Sequence, residues 1–266
     1  MLGFVNISSH NYYHQKENFR TYYGDICMSP SREWKIIHVL GHHFCTNTIL
    51  DIQTYLLEPF LFYYPHKKST ASKYLCYIYA PLVLWPLLFI YLHYSKIYYV
   101  TRGHTKHISK ADLLPWTIPA TLYFITGQPL FTILKMWLFV ILVGGLWFSL
   151  VGITTTHYHP EIFIDGDKPR FEEEMDWGIH QLDTVGDKVE VHGSLFWSFL
   201  MLGDHALHHL FPALDHGVLN HLYPVVEETL KEFNLKLRMK NTLTMVKGHF
   251  LTLEKEVGNP NNPSLS

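Results

Sequence analysis

This chain lacks most of what a soluble domain or a nucleic-acid reader needs. Charged side chains make up 17% of its 266 residues, below the roughly 25% typical of soluble proteins. The 21 basic and 23 acidic side chains nearly cancel, which leaves no electrostatic footprint for a nucleic-acid partner. Cysteine is scarce: Cys27, Cys45 and Cys76 stand far apart with no C-x-x-C. That excludes a disulfide framework and a thiolate metal site, and it fits a reducing compartment. No basic segment followed by an apolar core opens the chain, so a cleavable signal peptide is not expected. H-E-x-x-H is missing, and with it a zinc metalloprotease. Glu-x-x-His is missing too, against the carboxylate-rich di-iron site of soluble bundles. Haem-attachment and Rossmann glycine patterns are absent, and no internal repeat is visible.

Histidine is plentiful, with 19 copies, and it is grouped. His205, His208 and His209 follow the apolar run Ser194 to Leu202. On a helix His205 and His209 share a face, with His208 to one side. His10 and His14 form a pair at i, i+4. In His38-Val39-Leu40-Gly41-His42-His43 one imidazole is followed at four and five residues by an adjacent pair. His157 and His159 open a further polar, histidine-rich stretch, and His180 follows in Trp177 to Thr184. Imidazole-only ligation suits iron, zinc, copper or nickel without choosing among them. Asn6-Ile7-Ser8 matches a glycosylation sequon, and four residues from a candidate ligand it is expected to be unused.

Between these groups lie the apolar segments. Residues 74–95 carry about twenty residues without charge, enough to cross a bilayer core of roughly 30 Å. Pro81 and Pro86 inside it are tolerable in a membrane helix. Residues 130–153 form the second expected span, with Lys135 near its start placed to snorkel. Residues 55–65 and 113–126 are shorter and proline-broken, and are expected to be interfacial. If the histidine groups share one site, an even number of crossings must separate His43 from His157. Counting 113–126 as interfacial gives two crossings and unites the groups. Lys16, Arg20, Arg32, Lys35, Lys67 and Lys68 then fall on the histidine side, and Lys96, Arg102, Lys106 and Lys110 opposite. The balance leans towards a cytosolic site. From Pro224, Val225, Val226, Leu230 and Phe233 recur at helical spacing, as in an amphipathic helix packed on the body. Glu172 to Glu174 read as a solvated acidic run, and residues 256–266 as a disordered tail. The expected fold is therefore all-α, an integral membrane helical protein with a histidine-rich cap, residues 1–255 forming one domain.

The boxes H-x-x-x-H, H-x-x-x-H-H and H-x-x-H-H together resemble those of the membrane fatty acid desaturase and hydroxylase superfamily. Within it, H-N-Y-Y-H-Q, R-E-W-K-I-I-H-V-L-G-H-H and H-A-L-H-H-L-F-P-A-L-D-H-G are similar to the insect cytochrome b5-related proteins. These are relatives of front-end desaturases that carry a fused cytochrome b5 domain. The resemblance covers roughly Asn6 to Phe233. It implies a membrane-embedded di-iron oxidoreductase of the endoplasmic reticulum, its boxes facing the cytosol. Such an enzyme uses dioxygen and electrons from cytochrome b5 and its reductase to dehydrogenate a fatty acyl chain carried on coenzyme A or a phospholipid. The same boxes serve lipid hydroxylation, and a vestigial metal site in a non-catalytic membrane protein is the other alternative. Against the family pattern, two spans before the first box and the His-Pro-Gly-Gly haem motif are missing. The expectation is an N-terminally truncated chain that holds two irons, no haem, and draws electrons from a separate cytochrome b5.

Carried over by position, the implied metal ligands are His10, His14, His38, His42, His43, His157, His205, His208 and His209, with no catalytic residue beyond them. His180, Asp204, Asp183 and Asn11 are possible ligands or supports of ligands. Asp51 is a further candidate support by proximity, since a neutral imidazole needs a partner to aim it. His159 and His216 are expected to be structural or supporting. His66, His93, His104, His107, His192, His221 and His249 are expected at the surface or membrane interface.

Overall fold

A computed structural model of the chain describes residues 1–104, 107–153, 156–261 and 263. Lys106, expected opposite the boxes, and residues 262 and 264–266 of the expected tail lie outside the described residues. Among the described residues the regular structure is helical apart from an isolated bridge between Asp165 and Asp167 and a two-residue parallel ladder, which the all-α expectation did not contain. The ladder pairs β1 (Asp187–Lys188) with β2 (Met239–Lys240).

The first helix, α1 (Leu2–Tyr13), buries both sides and carries His10 in its last turn, with His14 as its C-cap. Asn6 of the sequon is buried within it. The short helix α2 (Tyr23–Ile26) turns the chain back, and Cys27 Sγ donates to the Leu2 carbonyl at 3.3 Å. Helix α3 (Ser31–Trp34) then runs without a break into wide turns over Lys35–His42. There His43 N–H reaches the His38 carbonyl five residues back. A turn closing between four and five residues puts His42 and His43 both on the His38 face, which is why this box is written H-x-x-x-H-H. Such π-type turns recur at functional sites.

A 31-residue helix, Ala71–Thr101, follows. It contains α4 (Cys76–Tyr79) and α5 (Trp85–Thr101), joined through wide turns at Ala71–Leu75 and Ala80–Leu84. Pro81 and Pro86 each remove an N–H from the ladder, a known source of such loosening. At 1.5 Å per residue it is about 46 Å long, well beyond a bilayer core of roughly 30 Å. It exceeds the expected span at both ends, and in its first turns Lys73 pairs with Glu256 at 3.0 Å. Helix α6 (Leu114–Thr126) covers the expected interfacial segment and ends at left-handed Gly127. It packs on α2 and on α7 (Leu130–Phe148). The helix containing α7 reaches Gly152 and is, with Ala71–Thr101, one of two among the described residues that are long and apolar enough to cross a membrane. Residues 55–60 are successive turns rather than a helix.

One contact runs across the expected sides. Lys96 is buried against the segment between the first two boxes, its Nζ 3.2 Å from Glu33 and 2.6 Å from Asp112. The reason is local: residues 23–34 run down beside α5 and α6, so acidic groups from both sides of the count meet one lysine.

The chain after the second long helix carries α8 (Trp177–Asp183), α9 (Leu195–Met201), α10 (His205–Leu210), α11 (His216–Glu232) and α12 (Thr242–Glu254). Helix α11 starts eight residues before Pro224, because Asp215 caps it by accepting from Gly217 N–H; Pro224 sits inside. Residues 256–259, within the expected tail, are held to the body. Glu256 accepts from Lys68 N–H at 2.8 Å, Asn259 N–H donates to the Asp167 carboxylate at 2.7 Å, and the Asn259 carbonyl accepts from Lys168 N–H at 2.9 Å.

Candidate metal centre

Helix α1, the wide turns of the second box, the chain after α7 and helix α10 converge on one buried volume. Potential ligand atoms of His10, His14, His38, His43 and His208 all lie within 4.8 Å of one another, and so do those of His42, His157 and His209. His205 joins the second group, its Nε2 2.8 Å from that of His157. All nine imidazoles implied by the family pattern therefore meet. Eight are buried and His14 is half-buried.

A neutral imidazole has one N–H and one lone pair, and its hydrogen bond fixes which nitrogen has which. His42 Nδ1 donates to Asp51 Oδ2 at 2.7 Å, and His157 Nδ1 donates to the Thr184 carbonyl at 3.0 Å. Where both rings are neutral, the two Nε2 atoms carry bare lone pairs and face each other at 3.1 Å. His38 Nδ1 donates to Gln53 Oε1 at 2.7 Å, and His209 Nδ1 to Gln181 Oε1 at 2.8 Å, baring two more. His38 Nε2 sits 2.6 Å from His10 Nε2 and 3.1 Å from His43 Nε2. Both nitrogens of His208 and Nε2 of His14 and His209 are buried with no hydrogen-bond partner.

An unpaired buried acceptor costs about 1–3 kcal/mol, and lone pairs facing one another repel. Cations between them would remove both costs. Burial first, then neighbouring imidazoles, pushes His10, His14, His43, His157, His205, His208 and His209 well below their ordinary range, and His38 down to about 3. These rings are neutral at pH 7 and free to ligate. Two groups of nitrogen donors fit two metal ions.

The supports of these ligands are mostly residues that no sequence pattern marks. Asp51 also accepts from Asn47 and Gln53 N–H at 2.9 Å each. Burial alone would raise its carboxyl; His42 and the Asn47 N–H outweigh it and hold it at about 2. Gln181 accepts from Thr46 Oγ1 and donates to the His43 carbonyl, which fixes its amide towards His209. Asp187 accepts from His205 and Ala206 N–H at 2.6 and 3.1 Å, seating the start of α10. Next to it, the wholly buried Lys188 donates to the carbonyls of Val151, Met201 and Leu202. That dipeptide straps the end of the second apolar helix to the third box. Gln53, Gln181, Asp187 and Lys188 were missed: each is isolated in sequence and finds its partner only through the fold.

The remaining candidates lie elsewhere. Asn11 donates to Asp215 and accepts from His216 N and Nδ1 at 3.1 and 3.0 Å. It thereby holds the His216 ring stacked 5.0 Å from His208. Asp204 accepts from Ser198 Oγ and Tyr223 OH. Asp183 forms a two-point pair with Arg170, and His180 Nε2 donates to the Thr46 carbonyl at 2.9 Å. None of these last three reaches the imidazole groups. His159 is buried apart from them, accepting from Glu161 N–H. His66, His104, His107, His192 and His221 are exposed and His93 is half-buried. His249, expected at the surface, is instead wholly buried among Tyr63, Trp85 and Phe250. Helix α12 folds back over the start of the first apolar helix and carries it there.

A family model described as fatty acid desaturase matches residues 1–241. A cytochrome b5-related protein of Drosophila melanogaster is 37% identical over 98% of this chain and 60% of its own length. An acyl-lipid (8-3)-desaturase B of Dictyostelium discoideum is 26% identical over 85% of this chain and 54% of its own length. The chain thus spans little more than half the length of these relatives. No solved structure matches it.

Proposed function

This chain belongs to the fatty acid desaturase family, and on that premise we propose that it is a di-iron oxidoreductase that places a double bond in a fatty acyl chain. In that reaction two hydrogens leave adjacent carbons and, with two electrons and two protons, reduce dioxygen to two waters. The electrons come from cytochrome b5 and its reductase, and the work is done in the endoplasmic-reticulum membrane with the boxes facing the cytosol. One observation carries the reading: two adjoining groups of imidazoles whose ligand nitrogens lie within 4.8 Å of one another, with Nε2 of His42 and His157 facing each other at 3.1 Å.

Iron bound there would supply the oxidising power that an unactivated methylene C–H bond requires. His10, His14, His38, His43 and His208 would hold one ion, and His42, His157, His205 and His209 the other. Asp51, Gln53, Gln181 and the Thr184 carbonyl keep their imidazoles in the tautomer that ligates. The buried walls keep water from the site, and Trp34, stacked 5.4 Å from His38, closes its apolar side.

Iron measured on the detergent-purified chain should approach two per chain. His208→Ala with His209→Ala should remove most of it, and retention of full iron by that variant would defeat the assignment. Mass analysis of product separates desaturation, a loss of two hydrogens, from hydroxylation, a gain of oxygen.

A further inference from the structure

The second box has a bare back. Its helix turns His38, His42 and His43 inward, while Ile36, Leu40 and Phe44 point outward, with Leu40 61% and Phe44 68% exposed. Ile49, Leu50 and Ile52 continue the same exposed surface. Between Ile36 and Leu57 the sequence holds one charged residue, Asp51, and its carboxylate is buried on His42. No charge in this stretch faces outward. A solvated helix of a soluble protein carries polar residues on that face, and exposed apolar patches of this kind mark membrane or partner contacts.

This surface adjoins α5. A groove of about 210 Å³ runs between them, lined by Trp34, Ile37, Ile52, Leu56, Tyr91 and Tyr99 among others. On the α5 side it borders exposed Tyr94, Ile97 and Tyr98, a side-chain mix suited to the bilayer interface. At its inner end Trp34 lies parallel to His38, ring centroids 5.4 Å apart. The groove therefore leads from the flank of a helix able to span a membrane to within one ring of the proposed metal.

We propose that the outer face of residues 36–57 rests in the bilayer surface, and that the groove admits the acyl chain of a bilayer-resident lipid laterally, with Trp34 as its inner stop. The occupant is a lipid tail rather than a protein helix because the surface is continuous with the flank of α5, and the one carboxylate that lines the groove, Glu33, is already paired with Lys96 at 3.2 Å, which leaves no unpaired charge to fix a partner's register. The inference rests on the acyl-chain reading above and narrows it: the substrate arrives from the membrane rather than from water.

The test uses the full chain in phosphatidylcholine nanodiscs doped with a phosphatidylcholine carrying a diazirine midway along one acyl chain. After photolysis, peptides containing Trp34 to Leu56 and Tyr91 to Tyr99 should carry the label. Leu56→Trp, which fills the groove, should cut labelling at Trp34 at least tenfold while leaving that on α7 unchanged. Unlabelled phosphatidylcholine should compete, and acyl-coenzyme A should not. Because Leu56→Trp reports on the groove only in a folded variant, Leu40→Cys and Phe44→Cys give a second reading: both should resist a membrane-impermeant maleimide in nanodiscs and react in detergent. Labelling confined to α6 and α7, competition by the thioester alone, crosslinks from this face to a protein, or full maleimide reaction in nanodiscs would each overturn the proposal. Iron is measured on the same samples. Iron without groove labelling defeats the groove alone, whereas groove labelling without iron defeats the enzymatic reading and leaves a lipid-binding surface.

Discussion

Asp51 Oδ2 lies 2.7 Å from His42 Nδ1, with both side chains wholly buried. That contact decides which nitrogen of His42 faces His157. Asp51→Asn keeps the shape and removes the charge. It should weaken metal binding about 10- to 100-fold, the usual effect of losing such a partner. A chelator-competition titration on the purified chain would show it, and parental affinity in the variant would refute the role given to Asp51.

Gln181 is the equivalent support for His209, and it also braces Thr46 and the His43 backbone. Gln181→Leu should lower metal content by a similar factor, because both rings lose their aim. His180→Ala, one residue away, should leave metal content unchanged, because its Nε2 is already committed to the Thr46 carbonyl. If His180→Ala loses metal and Gln181→Leu does not, the two assignments must be exchanged.

Why one neighbour could be read from the sequence and the other could not is a matter of spacing. Box histidines repeat at intervals that a helix turns into a shared face, so His10 with His14 and His205 with His209 were legible as pairs. Family resemblance, not spacing, supplied His157. The supports obey no period: Gln53 and Gln181 are single polar residues whose partners are set by how loops 43–66 and 156–176 pack. The apolar runs gave both long helices, but 74–95 understated a helix that spans Ala71–Thr101. Beyond Tyr94, polar and basic residues broke the apolar pattern, while Lys96 was being buried by Glu33 and Asp112. Long-range pairing of that kind leaves no mark in a hydropathy window.

At Gly145 the two long helices bring their backbones into close contact. A Cβ there would stand 2.7 Å from the Pro86 carbonyl oxygen and 2.9 Å from that of Trp85. Small residues allow such close backbone approach between membrane helices. Since the obstacles are backbone atoms, the helices must part. Gly145→Leu should destabilise by about 1–3 kcal/mol, the usual cost of overpacking, and lower the thermal midpoint in detergent. Gly127→Ala makes a poor control because of its left-handed backbone, so Val143→Leu, on an exposed position of the same helix, is the fitting comparison and should be neutral.

His249 gives the chain an acid-sensitive point away from the metal. Both its ring nitrogens are buried without partners, and burial alone pushes it down to about 3 from an unfolded value near 6.5. Its folded value is depressed, so the sign follows directly. Above pH 6.5 the ring is neutral in both states and its burial is fully tolerated. As pH falls from 6.5 towards 3, the unfolded chain takes up a proton that the folded chain refuses. Stability then drops by about 1.4 kcal/mol per pH unit from this one group, or roughly 2 kcal/mol by pH 5. His249→Phe keeps a ring against Tyr63 and Trp85 and removes the proton site. The variant should match or exceed the parent's thermal midpoint at pH 7.5 and pull ahead of it at pH 5. The imidazoles of the metal site titrate alike in both proteins and cancel in the difference. If parent and variant lose stability in parallel between pH 7.5 and 5, His249 takes up its proton in the folded state and its burial has another explanation.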